Sequence, residues 1–181
     1  MTLEVKPWNE LSLKEINDIF SLRSEVFIVE QECAYQDVDG KDKQADHVML
    51  HVDNELVGYT RVFPKKTYFK EASFGRAVVK KNHRGEGYGH LLVDKSLEHL
   101  KSKNQSPIKI SAQSYLKEFY ASHGFKLKAM STWKMEFHTQ QCIWSCETKP
   151  LPHQFIFLST TSTSNLLSLI FLSILHHPDL T

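Results

Sequence analysis

The sequence predicts one α/β domain in an α+β order, on the strength of three observations. A strand-like apolar run from Phe74 to Val79 feeds a loop with glycine at every second position: Gly85, Gly87 and Gly89. That loop opens an amphipathic stretch, GHLLVDKSLEHLK, with the spacing of a helix. Upstream, two alternating runs flank Asp53-Asn54 and read as a hairpin. The 181 residues, 41% of them hydrophobic, suffice for one good core.

Leu3 to Trp8 is expected as the first strand. Ser12 to Glu30 holds one or two helices: Ser12 stands three residues before Glu15, the pattern of a capping box, and Ile16, Ile19, Phe20, Val26 and Phe27 recur at helical spacing. The hairpin takes Val48 to Asp53 and Glu55 to Phe63. Next come a strand over 72–79, the glycine loop, a helix over 88–102, a strand over 108–113 and a helix over 114–122 that Gly124 ends. A further strand starts at Phe125.

The glycine loop carries the first chemical information. Glycines reach backbone angles closed to other residues and present no Cβ, so their amides can converge on an anion. A helix beginning near Tyr88 aims its positive dipole end at the same point. This is a device for gripping a phosphorylated ligand, most often a diphosphate. A P-loop would close with Gly-Lys-Ser/Thr, but His90 and Leu91 follow Gly89. A dinucleotide fingerprint needs G-x-G-x-x-G and a prompt acidic strand end, and this loop reads G-x-G-x-G.

Arg84-Gly85-x-Gly87-x-Gly89 resembles the Arg/Gln-x-x-Gly-x-Gly/Ala loop of the GNAT acetyltransferases. The stretch SYLKEFYASHGF resembles that family's Asn-x-x-Ala-x-x-Phe-Tyr-x-x-x-Gly-Phe signature through Phe119, Tyr120, Gly124 and Phe125, with Gln113 where Asn is usual and Leu116 where Ala is usual. Arg23 to His47 is similar to the N-terminal segment of the ElaA-like branch, with its Leu-Arg-x-x-Val-Phe-x-Val-Glu-Gln and Tyr-x-Asp-x-Asp core. The resemblance covers about residues 1–130 and implies a mixed sheet, splayed where acetyl coenzyme A enters.

It also implies site residues. The cosubstrate would be held by Ala77, Val78, Val79, Arg84, Gly85, Glu86, Gly87, Tyr88, Gly89 and Gln113, and the acceptor groove would involve Arg23, Glu30, Gln31, Tyr35, Asp39 and Arg76. The expected reaction is direct attack of a primary amine, on a small molecule or a peptide, upon the thioester. Strand amides from Arg76 to Val79 would hold the pantetheine arm and stabilise developing negative charge. Tyr120 is the expected general acid, since a phenol of pKa ~10 keeps its proton at neutral pH while the departing thiolate belongs to a thiol of pKa roughly 8.5. Glu30, His47 or a water relay remains open as base. Arg23 and Glu30, seven apart on one helical face, could instead brace the fold through paired charges.

Charge is divided along the chain. Residues 1–60 carry five Lys/Arg against thirteen Asp/Glu; residues 61–130 carry fifteen against five. Lys80, Lys81, His83 and Arg84 beside the glycine loop suit a phosphate-rich ligand, and the acidic half suits a cationic amine. That acidic half also argues against nucleic acid. Asp37-Val-Asp-Gly-Lys-Asp is no calcium loop: Gly40 falls at position 4 and Val48 at position 12, where Gly at 6 and Glu at 12 are needed. No metal is expected. Cys33, Cys142 and Cys146 have no framework spacing and the N-terminus shows no secretory pattern, so a cytoplasmic protein is expected. A homodimer is left open.

From Ser131 the chain departs from the resemblance. ElaA-like chains finish with Glu-Asp-Gly and a strand containing Ile-Pro-His and then Met, whereas this one reads STWKMEFHTQQCIW. Codons for Trp133 to Cys142, read from the third base of the Ser131 triplet, can spell Glu, Asp, Gly, Ile, Pro-His-x-x-Met. A reading-frame change near residue 131 is therefore inferred, with 131–181 a tail foreign to the domain. Trp133, Met135 and Phe137 alternate with polar residues and suit a makeshift strand. Without some such strand the sheet would expose unpaired edges. The apolar run from Leu166 to Leu175 is too short to cross a bilayer of ~30 Å. The alternative to an active enzyme is a silent, truncated relative that only binds coenzyme A or a protein partner.

Overall fold

The computed structural model describes residues 1–130 and 141–146, with side chains through Lys126. The makeshift strand expected over 133–138 and the apolar run at 166–175 lie outside the described residues. The first sheet contains β1 (Thr2–Pro7), β2 (Asp46–Val52), β3 (Glu55–Phe63) and β4 (Ser73–Val79), antiparallel and in that order. The second contains β5 (Ile108–Gln113), β7 (Gln141–Cys146) and β6 (Lys126–Met130), with β7 between the other two and antiparallel to both. The position expected to be altered or empty is thus filled, by residues past those expected to fill it.

Three α-helices lie among the described residues: α1 (Leu13–Ser24), α2 (Tyr88–Ser102) and α3 (Lys117–Ser122). The Ser12–Glu15 capping box forms: the Ser12 hydroxyl accepts from the Glu15 amide at 3.2 Å, and the Glu15 carboxylate accepts from the Ser12 amide at 2.8 Å. α1 then widens into a π-helical turn, Glu25–Glu30, which helical spacing alone does not announce. Asp53 and Asn54 make the hairpin turn with φ of 49° and 65°.

Alternation along the strands builds two cores. Val48, Leu50, Val57, Phe74, Ala77 and Val79 face α2, through Leu92, Val93 and Leu97. Met49, Tyr59 and Val78 face α1, through Ile19, Leu22, Val26 and Phe27. Gly58 allows α2 its close approach, since a Cβ there would meet Leu92 Cδ1 at 3.0 Å.

β4 departs from regular pairing in two places. Between the pairs Arg61–Gly75 and Tyr59–Val78, two residues on β4 oppose one on β3; at this bulge Arg76 adopts φ of 55°. The strand also meets the second sheet at one point, a parallel bridge between Ala72 and Ile108, where the Lys109 amide donates to the Ala72 carbonyl at 2.8 Å. Beyond it, β4 and β5 do not pair among the described residues. The sheet is mixed and splayed.

Candidate functional site

The glycine loop leaves β4 through a 3-10 turn, Lys81–His83, and ends at Gly87, which caps α2 in the left-handed region at φ of 80°. Gly85 has φ of 85°. Gly89, expected to share this freedom, is instead a buried residue inside α2. No side chain caps the helix and its first turn holds no acidic residue. Among the described residues the amides of Gly85, Glu86 and Gly87 have no backbone acceptor. Unspent donors and an uncompensated dipole at one place make an anion site.

The Arg84 side chain is engaged within the protein. Its Nη1 and Nη2 donate to the two Glu30 oxygens, each at 2.7 Å, and its Nε donates to the Val79 carbonyl at 3.0 Å. The guanidinium is 5% exposed. Its side chain therefore braces the loop against the π-helical turn, and what the loop offers a ligand is main chain. The expected bracing role for Glu30 is realised, with Arg84 rather than Arg23.

Tyr120 sits wholly buried on α3, with its ring edge-on to Phe119 at 5.0 Å and to Phe125 at 5.7 Å. Its hydroxyl has no hydrogen-bond partner among the described residues, and burial keeps the phenol protonated well above its ordinary range. Phe119 links it to the loop, 4.8 Å from the His90 ring in the first turn of α2. Tyr115, half-exposed and pushed up to about 12 by burial, lies within the field of Arg84, Glu30 and Tyr120. Gln113 is buried at the end of β5. The donor loop, the π-helical turn and the aromatic helix thus converge.

The expected acceptor residues form something else, a buried ionic network. Arg23 Nε donates to Asp37 at 2.8 Å and its Nη1 to Asp42 at 2.6 Å. Arg76 Nε lies 2.6 Å from Asp37, and Arg61 meets Asp39 at 2.7 and 2.8 Å and Asp42 at 3.0 Å. Tyr35 donates to Asp37 at 3.1 Å. Three buried arginines offset three aspartates. Arg23 and Arg76 are 0% and 1% exposed, so they are not surfaces for a substrate. Asp39, at the rim, is held down to about 2: burial opposes its charge but the Arg61 hydrogen bond outweighs it. Gln31 closes the π-helical turn, its amide donating to the Val29 carbonyl.

His47 is not placed as a base. It is fully buried; its Nε2 lies 3.1 Å from the Asp42 carbonyl, which can only accept, and so carries the proton. Its Nδ1 then accepts from the Tyr59 hydroxyl at 2.7 Å. Both nitrogens are engaged, and burial lowers its pKa to about 4.

Sequence reasoning missed Arg61, Asp37 and Asp42 as members of a network. The signal was present: Tyr59, Arg61 and Phe63 share one face of a strand otherwise apolar, and an arginine at a core position demands carboxylates. The acidic run weighed against calcium supplies them. A separate depression of about 330 Å³, lined by Asp18, Glu25, Asn54 and Lys80 among others, includes no residue of the glycine loop or α3.

This fold, with a glycine loop of unspent amides and a buried phenol beside a splayed sheet, is that of the acyltransferases. A family model described as the acetyltransferase (GNAT) domain matches residues 10–136, and the chain belongs to that family. It is 41% identical over 122 residues to a UPF0039 protein of Synechocystis, covering 65% of this chain and 78% of that one. It is 37% identical over 123 residues to protein ElaA of Escherichia coli, with the same coverage. The crystal structure of E. coli ElaA superposes with a TM-score of 0.73 at 29% identity, over 81% of this chain and 99% of ElaA. An aminoglycoside 6'-N-acetyltransferase complexed with coenzyme A shares the fold alone, with a TM-score of 0.67 at 15% identity over 84% of this chain and all of that one.

Proposed function

We propose that this chain transfers an acetyl group from acetyl coenzyme A to a primary amine of a small molecule or peptide, by direct attack and without a covalent enzyme intermediate. The observation that carries the reading is the Tyr120 hydroxyl, buried without a partner among the described residues and one aromatic ring away from a loop of unspent amides. An orphaned buried donor costs about 1–3 kcal/mol, and a sulfur in the cleft would accept from it. The fold neighbour complexed with coenzyme A supports the choice of donor.

The roles follow from geometry. Amides of Gly85, Glu86, Gly87 and Tyr88 take the diphosphate, while the edge of β4 at Ala77, Val78 and Val79 that no strand pairs among the described residues, apart from the Val79 carbonyl held by Arg84, takes the arm and the thioester oxygen. The amine nitrogen adds to the carbonyl carbon; the C–S bond then breaks as Tyr120 gives its proton to sulfur. Of the two side chains expected as base, Glu30 remains, 24% exposed beside the loop. The amine's proton leaves by that carboxylate or by water held there. No metal is invoked, and no described helix is long and apolar enough to cross a membrane.

One observation favours a second reading, that of a silent relative: the family match stops at residue 136 of 181. A thermal-shift titration with acetyl coenzyme A, followed by thiol release across an amine panel, separates the two. Binding with release supports the enzyme, and binding without release supports the silent form. No binding overturns the enzyme and leaves only a relative that binds a protein partner.

A further inference from the structure

Beside the glycine loop lies a relay of side chains that acetyl transfer does not use. His90, in the first turn of α2, places Nδ1 2.9 Å from His123 Nε2, and His123 Nδ1 lies 2.8 Å from Asp94 Oδ1. The carboxylate only accepts, which puts a proton on His123 Nδ1; its Nε2 then accepts from His90 Nδ1–H. By elimination His90 keeps a bare Nε2. The three rings of His90, His123 and Phe119 pack within 5.1 Å of one another, which fixes the relay in place.

We propose that His90, backed by His123 and Asp94, is a protonable clamp for the donor's diphosphate, so that donor binding takes up a proton at His90 Nε2. This inference rests on acetyl coenzyme A being the donor. A positive charge in the first turn of α2 is opposed by the helix dipole, and a diphosphate at the same turn reverses that balance. Asp94 supports the resulting charge through His123, in the manner of a carboxylate behind a histidine pair. The groups facing His90 and His123 are each other, Asp94 from α2 and the uncharged Phe119 from α3. From the loop, Glu86 is engaged by the Tyr88 hydroxyl, and His83 stacks on the Tyr88 ring.

The test is calorimetric binding of dephospho-coenzyme A to the full chain, in buffers of different ionisation enthalpy, between pH 6 and 8. That probe keeps the diphosphate but lacks the phosphomonoester, whose own second pKa near 6 would confuse the count. The expected result is net uptake of up to about one proton, with affinity falling several-fold as pH rises past the imidazole range near 6.5. His90→Gln should abolish the uptake and flatten the profile, while Asp94→Asn should shift the uptake to lower pH. Uptake that survives unchanged in His90→Gln, as it would if His83 were its source, overturns the proposal. Binding with no uptake in the native chain also overturns it while leaving the donor reading intact; no binding removes both.

Discussion

Arg84 and Glu30 join the glycine loop to the π-helical turn through two parallel bonds of 2.7 Å each. The resemblance implies separate roles for them, one on phosphate and one on the amine. Their pairing means that a change on either side is felt by the other.

Arg84→Gln should weaken coenzyme A binding and lower the melting temperature more than Glu30→Gln does, because Arg84 also holds the Val79 carbonyl. Breaking one side of a largely buried pair costs about 3–5 kcal/mol, and the exposure of Glu30 puts this pair toward the lower end. Calorimetric affinity and thermal unfolding of both variants and the double variant measure the coupling. Strict additivity would show that the pair transmits nothing.

Tyr120→Phe should cut turnover at least tenfold yet leave acetyl coenzyme A affinity within about twofold, the mark of lost general acid help. Since the hydroxyl has no partner among the described residues, its removal should leave the melting temperature level or raised. A lowered melting temperature would show that the hydroxyl is bonded within the fold.

Stability should fall as pH drops from about 6.5 to 4. The buried His47 is neutral in the fold with a pKa of about 4, below its unfolded value near 6.5; its contribution is therefore complete above pH 6.5 and lost as acid approaches 4. The full contribution is on the order of 3 kcal/mol. Asp39, held at about 2, adds a second loss below pH 4, where the unfolded chain takes up its proton first. Urea midpoints from pH 4 to 7.5 test this, and a flat profile over 4 to 6.5 would contradict the neutral, buried imidazole.

Gly87→Ala should weaken donor binding through strain alone. A Cβ there meets nothing within 4 Å, but φ of 80° costs a non-glycine residue roughly 1 kcal/mol. Gly75→Ala, with the same open space and ordinary backbone angles, is the control.

The coding DNA is expected to spell Glu-Asp/Asn-Gly-Ile/Val across Trp133 to Phe137 when read from the third base of the Ser131 codon, and to continue as Pro-His-x-x-Met. Sequencing the transcript checks this. Codons for Phe137 to Cys142 that cannot give Pro-His-x-x-Met would refute a frame change.

Where main-chain geometry follows from residue type, the sequence was readable. Ser12 with Glu15 gave the start of α1, Asp53-Asn54 the hairpin turn, and Gly85 with Gly87 the loop before α2, whose 88–102 span matches expectation. Partners distant along the chain were not readable. Arg23 and Arg76 point by resemblance to an acceptor groove, yet they meet Asp37 across 14 and 39 residues, because the bulge at Arg76 turns its side chain toward the α1 face. His47 failed as a base for a similar reason: its value depends on Tyr59 and on a carbonyl five residues upstream, which no motif encodes.

Among the described residues β4 and β5 meet only at the Ala72–Ile108 bridge, so the cleft is a wedge whose two walls are strand edges that no described strand pairs. An extended ligand sliding in would supply the rungs the protein omits and serve as a temporary extra strand. Amide exchange in β4 and β5 should then slow together on loading. An empty enzyme, with two edges open to any passing strand, should be the more prone to self-association.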